Sequence, residues 1–345
     1  MSRELKWKFG DASRTRMHES SMWLARGHYE CPTGGRVFQA FGEKPAGEGL
    51  RAALVKTVTM TMLALTVTVL ARPASAAELQ PATLLAWNSY VKESDWRLEQ
   101  RVSGRQAFLW IDESAERAKR LRKGESVIAP MAERNGENVP GGLIHDWTGA
   151  IFIPGAKVAD VWAVTQDYDN YQRVYRPAVT ASRTLSIAGE MREFQMVLRL
   201  HVLGVNAAMQ GYYRSRDVLI NESRGYSVAD AVEMREIEGY GRAEEWLLPP
   251  DTGDGFIWRI RSIARYEERD GGVYLELEAL ALTRDIPAGL AWVVNPLVNR
   301  LSVNSLDCAL RQTRGAVIAL QYKSETKAPA PPRQQSGAPK TGGFE

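Results

Sequence analysis

Two stretches of the chain alternate with a period of two: Phe194, Met196, Leu198, Leu200 and Val202, and Val273, Leu275, Leu277, Ala279 and Ala281. Successive strand side chains point to opposite faces, so each stretch predicts a strand with one apolar face. They belong to a series of six predicted strands, over 179–187, 191–202, 207–220, 225–237, 256–267 and 273–283. Turn residues divide the series at Gly189-Glu190, Asn221–Arg224, Pro249–Gly255 and Asp270–Gly272, the last a hairpin signal. A further strand over 143–153 precedes the series and ends at Pro154-Gly155. Between them lie a helix over 157–165, with Val158, Val161, Trp162 and Thr165 on one face, and a short helix or turn over 167–176 stopped by Pro177. Residues 286–320 read as a long helix whose inner face carries Leu306, Leu310, Thr313 and Val317. Consecutive strands joined by short turns make an antiparallel sheet. This order predicts an α+β fold, a curved antiparallel sheet of about seven strands wrapped on a long C-terminal helix. Such a wrap encloses an apolar space of the kind that holds hydrophobic ligands.

Upstream, Leu84, Trp87, Val91 and Leu98 form one stripe at spacings of three, four and seven and predict a helix over 79–101. Phe108–Ile111 and Glu125–Ala129 read as short strands, and a capping pattern at Ser114 opens a basic helix to Arg122. Its run RAKRLRK is a solvated face, because no aromatic residues interleave it. Residues 78–141 are thus an extra N-terminal helical and strand segment. Residues 323–345, rich in Pro, Gly and Gln, have too little apolar surface to order themselves.

Residues 51–76 have the anatomy of a secretory signal: Arg51 and Lys56, then an apolar run Val58–Leu70, then Ala74-Ser75-Ala76. A run of this length spans only ~20 Å as a helix, short of a ~30 Å hydrocarbon core. The expectation is export to the periplasm or beyond, with cleavage near Ala76. The fifty residues ahead of the signal read as an untranslated or disordered extension. Cleavage changes the charge picture. The whole chain of 345 residues is formally +3, but residues 1–76 hold 11 Lys/Arg and 6 Asp/Glu, leaving 33 basic and 35 acidic residues. That removes the compositional argument for nucleic acid. Cys31 also leaves, so Cys308 is expected as a buried free thiol.

The chemistry is sparse. No Gly-x-Ser-x-Gly elbow, dinucleotide-binding turn or P-loop occurs. His145 and His201 lack partners at metal-ligand spacing, and His145 and Asp146, adjacent on a strand, point to opposite faces. No catalytic residue, metal site or cofactor is assigned. Arg214 and Arg216, Arg259, Arg261 and Arg265, and Glu276 and Glu278 read as cross-strand ion pairs on a solvent face. Arg183 alternates with Val179, Ala181, Leu185 and Ile187, which puts it on the apolar side as a candidate anchor for a ligand anion.

The strand count and the stretch DYDNYQRVYRP, with Asp167, Tyr168, Tyr171 and Pro177, resemble the START-like helix-grip superfamily (SRPBCC), which includes polyketide cyclase-like proteins. GGLIHDWTGAIFIPGA, DGGVYLELEALALTRDIP and GLAWVVNPLV resemble a secreted bacterial branch of it. The resemblance covers residues 142–322 and implies that strands 143–153 and 273–283 pair. It also implies a hydrophobic small molecule or lipid as partner, with transient membrane contact as a corollary. The expected cavity lining is Trp162, Arg183, Phe194, Met196, Tyr212, Trp258, Trp292, Leu297 and Leu301, with Tyr168 and Tyr171 as a gate. Three functions compete: an exported carrier, a cyclase- or dehydratase-type enzyme, and an envelope interaction module with a filled interior. An acid or base beside an arginine in the cavity would favour the enzyme.

Overall fold

The computed structural model describes residues 77–131, 136–202, 205–285 and 291–327, without the side chains of 201–206, 291–297 and 324–327. The strands are β1 (Ala77–Glu78), β2 (Val127–Pro130), β3 (Glu137–Val139), β4 (Gly142–Pro154), β5 (Val179–Ala188), β6 (Met191–Val202), β7 (Val205–Asn221), β8 (Arg224–Glu238), β9 (Trp246–Leu247), β10 (Thr252–Gly253), β11 (Arg259–Arg269) and β12 (Gly272–Arg284). The helices are α1 (Pro81–Val102), α2 (Ala115–Arg122), α3 (Val158–Thr165), α4 (Tyr171–Val174) and α5 (Ala291–Lys327). One antiparallel sheet runs β2-β4-β12-β11-β8-β7-β6-β5, with β3 added on β4 and β9 on β8. β4 and β12 pair along their whole length, from Gly272 opposite Pro154 to Arg284 opposite Gly142. The order and pairing are those of the expected helix grip.

Alternation assigns the faces. The odd positions of β4 and β12, Trp147, Ile151, Ile153, Val273 and Leu275, pack with Val158, Val161 and Val164 of α3 and Leu306, Leu310 and Val317 of α5. This is the inner face. Close approach of α5 depends on Gly149: a Cβ there would stand 3.0 Å from both Ile128 and Leu310.

The outer face is also covered, which the sequence pattern did not show. Residues 77–131 lie across it. Trp87 and Tyr90 of α1 pack with Ile144, Trp258, Leu280 and Leu282. Phe108, Leu109, Trp110 and Ile111 pack with Ala150 and Tyr274, and Leu98 packs with Tyr226 and Ile263. Phe108–Ile111 is not a strand; its last two residues open a 3-10 turn, Trp110–Glu113. A short, wholly buried apolar run has no periodicity to separate the two.

The strand charges are therefore corrected. Arg214 pairs across strands with Glu193 near solvent, as expected, but Arg261, Arg265, Glu276 and Glu278 are buried. Arg265 bridges Glu276 at 2.6 Å and Glu278 at 3.3 Å, all three essentially inaccessible. Arg97 of α1 reaches Asp146 at 2.8 Å and Glu278 at 3.1 Å, and Tyr90 donates to Asp146 at 2.9 Å. Burial and the neighbouring Glu278 push Asp146 up to about 7. Burial opposes ionisation of Glu278 too, but Arg265 and Arg97 outweigh it and hold that carboxyl below its ordinary range.

Cys308, half-buried on α5, is disulfide-bonded rather than the expected free thiol. The expected signal and the C-terminal tail lie outside the described residues.

Candidate functional site

The sheet's cross-strand register builds a trough on the inner face. Three rows of side chains cross it. The first runs His145–Ala281–Ile260 and continues at Ala231–Tyr213–Phe194–Thr184. The second runs Trp147–Ala279–Ser262–Ala229–Ser215–Arg192. The third runs Gly149–Leu277–Ala264–Ser227–Asp217. The middle of this face is small: Ala229, Ser262, Ala264, Ala279 and Ala281. All five are only partly buried, as are Leu277, Ile260, Met196, Leu198 and Leu200 around them. Inner-face side chains that keep accessible surface border a space, since a packed interior would have closed over them. The described part of α5 seats Leu306 and Leu310 on Gly149 at the far edge. It is tied to the turn after α4 by Tyr175 Oη to Thr313 Oγ1 at 3.1 Å and by Gln312 donating to the Arg176 carbonyl.

One end of the trough is aromatic. Tyr168, Phe194 and Tyr213 stack in sequence, with centroids 3.9 and 4.9 Å apart and planes within 6°. Beside them lies a polar cluster. Arg192 Nη1 bonds Asp217 at 2.7 Å and Arg192 Nη2 donates to Gln166 Oε1 at 3.1 Å. Ser227 donates to Asp217, and Tyr266 Oη donates to Ser227 at 3.3 Å. Burial raises Asp217, against the pull of Ser227 and Arg192. Burial and the nearby Asp217 push Tyr168 up to about 12.

At the opposite end stands His145, 5% exposed, with Nε2 3.3 Å from Thr283 Oγ1 and Nδ1 buried without a partner. Asp146 lies on the other face, as alternation requires. Burial pushes the imidazole down to about 4, so it is neutral at pH 7. The linkage follows. Between the unfolded value near 6.5 and about 4 the unfolded chain binds the extra proton, so this stability is complete above pH 6.5 and lost as pH falls through that window. Asp146 acts in the opposite sense, its raised value favouring the folded state as pH falls below 7. A difference between proteins removes that contribution. His145→Gln is expected to gain about 2–3 kcal/mol on wild type between pH 7.5 and 4.5. Urea midpoints at the two pH values test this, and a constant difference refutes it.

The expected lining residues fall in several places. Phe194 and Met196 face the trough. Trp162 sits on α3 against Tyr266, ring centroids 6.2 Å apart. Leu301 is half-buried on α5. Trp292 and Leu297 lie outside the described side chains. Tyr168 is 3% exposed and lies within the stack beneath Phe194, and Tyr171, half-buried, packs edge-on to Phe194 and donates to the Thr165 carbonyl. Arg183 is exposed on the outer face, its Nε donating to Gln195 at 2.9 Å. Register shifts near Thr180 and Leu185 break the alternation that placed it inward. Tyr212 is also outward, bonded to Glu193, and its neighbour Tyr213 faces in. Trp258 lies on the outer face under α1. Sequence reasoning missed the floor itself. Its signal was small residues at alternate positions: Ser227 and Ala229, Ser262 and Ala264, Ala279 and Ala281. Among the described residues no group of His, Cys, Asp or Glu has the arrangement of a metal site.

No family model and no curated protein matches the chain. Among solved structures it is similar to a STAR-related lipid transfer protein from Xanthomonas axonopodis, at 17% identity and TM-score 0.37, over 56% of this chain and 98% of that one. It is also similar to an aromatase/cyclase from a Streptomyces species, at 14% identity and TM-score 0.32, over 49% and 93%. A START superfamily protein from Mycobacterium smegmatis is similar at 11% identity and TM-score 0.31, over 52% and 99%.

Proposed function

We propose that this chain is an exported carrier of a hydrophobic small molecule or lipid, held in the trough between the sheet and its C-terminal helix. The observation that carries the reading is the partly exposed floor of alanine and serine on a face otherwise lined by large apolar and aromatic groups. A flat or chain-like ligand would lie on that floor with its edge against the Tyr168–Phe194–Tyr213 stack. The enzymatic alternative has one supporting observation, Asp217 beside Arg192 on the inner face. Both oxygens of Asp217 are already engaged, by Ser227 and Arg192, which favours a structural pair over a free general base.

Filling the floor tests the carrier reading. Ala279→Leu is expected to weaken binding of the neutral probe N-phenylnaphthylamine at least ~10-fold while stability changes by less than ~1 kcal/mol, because the added methyl groups enter a space. In a filled interior the same change costs about 1–3 kcal/mol through overpacking. That result, with no probe binding by wild type, would establish the interaction module instead.

Export is tested by the mature N-terminus. Mass spectrometry of secreted protein is expected to begin at Ala77 or Glu78. The only other cysteine is Cys31, so a bond between it and Cys308 would keep a cleaved leader attached until it is reduced. Recovery from the secreted protein of a peptide that spans the Ala76–Ala77 bond overturns cleavage.

A further inference from the structure

Two buried hydrogen-bond donors on the inner side of α3 have no acceptor: Trp162 Nε1 and Gln166 Nε2. Gln166 caps α3 in helical conformation, its backbone N–H donating to the Trp162 carbonyl one turn back, so the two side chains leave one face. Trp162 lies over Gly225, where a Cβ would stand 2.9 Å from its ring, and meets Tyr266 edge-on. Gln166 is oriented by Arg192, whose Nη2 occupies its Oε1 and turns the amide nitrogen away. The nearby carboxylate does not serve them: Asp217 accepts from Ser227 on Oδ1 and from Arg192 on Oδ2. Nearly all buried N–H groups in folded proteins find an acceptor, and two orphans on adjacent turns therefore point to one that comes from outside the chain.

Charge selects the acceptor. Arg192 is neutralised by Asp217, so the cluster carries no net positive charge to hold a carboxylate or phosphate. Two N–H donors beside a neutral pair suit an uncharged oxygen with free lone pairs. The third row of the floor, Leu277–Ala264–Ser227–Asp217, leads from the apolar middle of the trough to this point. We infer that the ligand carries a neutral carbonyl group, as in a ketone, ester or amide, that docks on Trp162 and Gln166 while its apolar body lies on the alanine–serine floor. This rests on the carrier reading above and specifies the ligand class for the same trough.

Three naphthalene dyes of one size test it: a neutral aryl ketone, the alkyl analogue lacking the carbonyl oxygen, and the matching carboxylate. Wild type is expected to bind the ketone about 10-fold more tightly than the alkyl dye, and the carboxylate no better than the alkyl dye. Trp162→Phe combined with Gln166→Leu is expected to bring the ketone to the level of the alkyl dye measured on the same variant. Gln166→Leu alone should remove about 3-fold, which keeps the test available if the double variant does not fold. Equal affinity of wild type for ketone and alkyl dyes overturns the carbonyl site and leaves the carrier standing. Tighter binding of the carboxylate overturns it in favour of an anion site. Failure of wild type to bind any of the three overturns the carrier reading and this inference together.

Discussion

Replacing Arg265 with methionine is expected to cost about 3–5 kcal/mol of stability, among the largest losses available to a single substitution here. The guanidinium is 1% exposed and serves two carboxylates that are 0% and 2% exposed. Its removal leaves Glu276 with the Ile111 amide, 3.3 Å away, and Glu278 with Arg97 and Ser94. Arg97 is 25% exposed and already shared with Asp146, so it replaces little of the loss. The deficit should depend on pH. Without Arg265 the burial that opposes ionisation of Glu278 loses its largest counterweight, so that carboxyl moves upward and the folded state holds its proton more readily. The variant then regains stability as pH falls from 7 towards the unfolded value near 4.3. Adding Glu276→Gln should recover part of the loss at neutral pH. Urea midpoints across that range are the measurement. A loss below ~1 kcal/mol that is flat with pH would mean that the cluster is hydrated and that α1 does not seal the outer face.

Trp258→Ala is expected to cost about 3–5 kcal/mol and to leave probe affinity unchanged. Trp258 is 4% exposed and packs against Trp87 and Tyr90 of α1, with Ile144, Leu280 and Leu282 beneath. It therefore fastens the N-terminal segment to the sheet, on the face opposite the trough. Truncation leaves a cavity bounded by two elements distant in sequence, and α1 cannot collapse into it without losing the Arg97 and Tyr90 bonds to Asp146. A weakened probe with little loss of stability would place this tryptophan in the ligand space and reverse the assignment of faces.

The fold was largely legible in the chain because its strands are long and their turns are marked. Six strands separated by Gly, Pro, Asp and Asn clusters can only meander, and the apolar alternation at Phe194–Leu200 and Val273–Ala281 names one side of each. Helix stripes at Val158, Val161 and Leu306, Leu310, Val317 supply the cover. These are local signals, carried by periodicity within one element. Three things lay beyond them. Register shifts in β5 moved Arg183 to the other face, and a bulge depends on how two strands pair, which neither strand states alone. Adjacent Tyr212 and Tyr213 offered no basis for choosing which faces in; pairing of Tyr213 with Phe194 and Ala231 chose. Finally, Glu276 and Glu278 read as solvent-facing because nothing near them in sequence covers them. Their cover is Ile111 over Glu276 and Arg97 and Ser94 over Glu278, 165 to 184 residues upstream. The trough itself is a surplus of space left by small residues on four neighbouring strands, and empty volume has no periodicity until the strands are laid side by side.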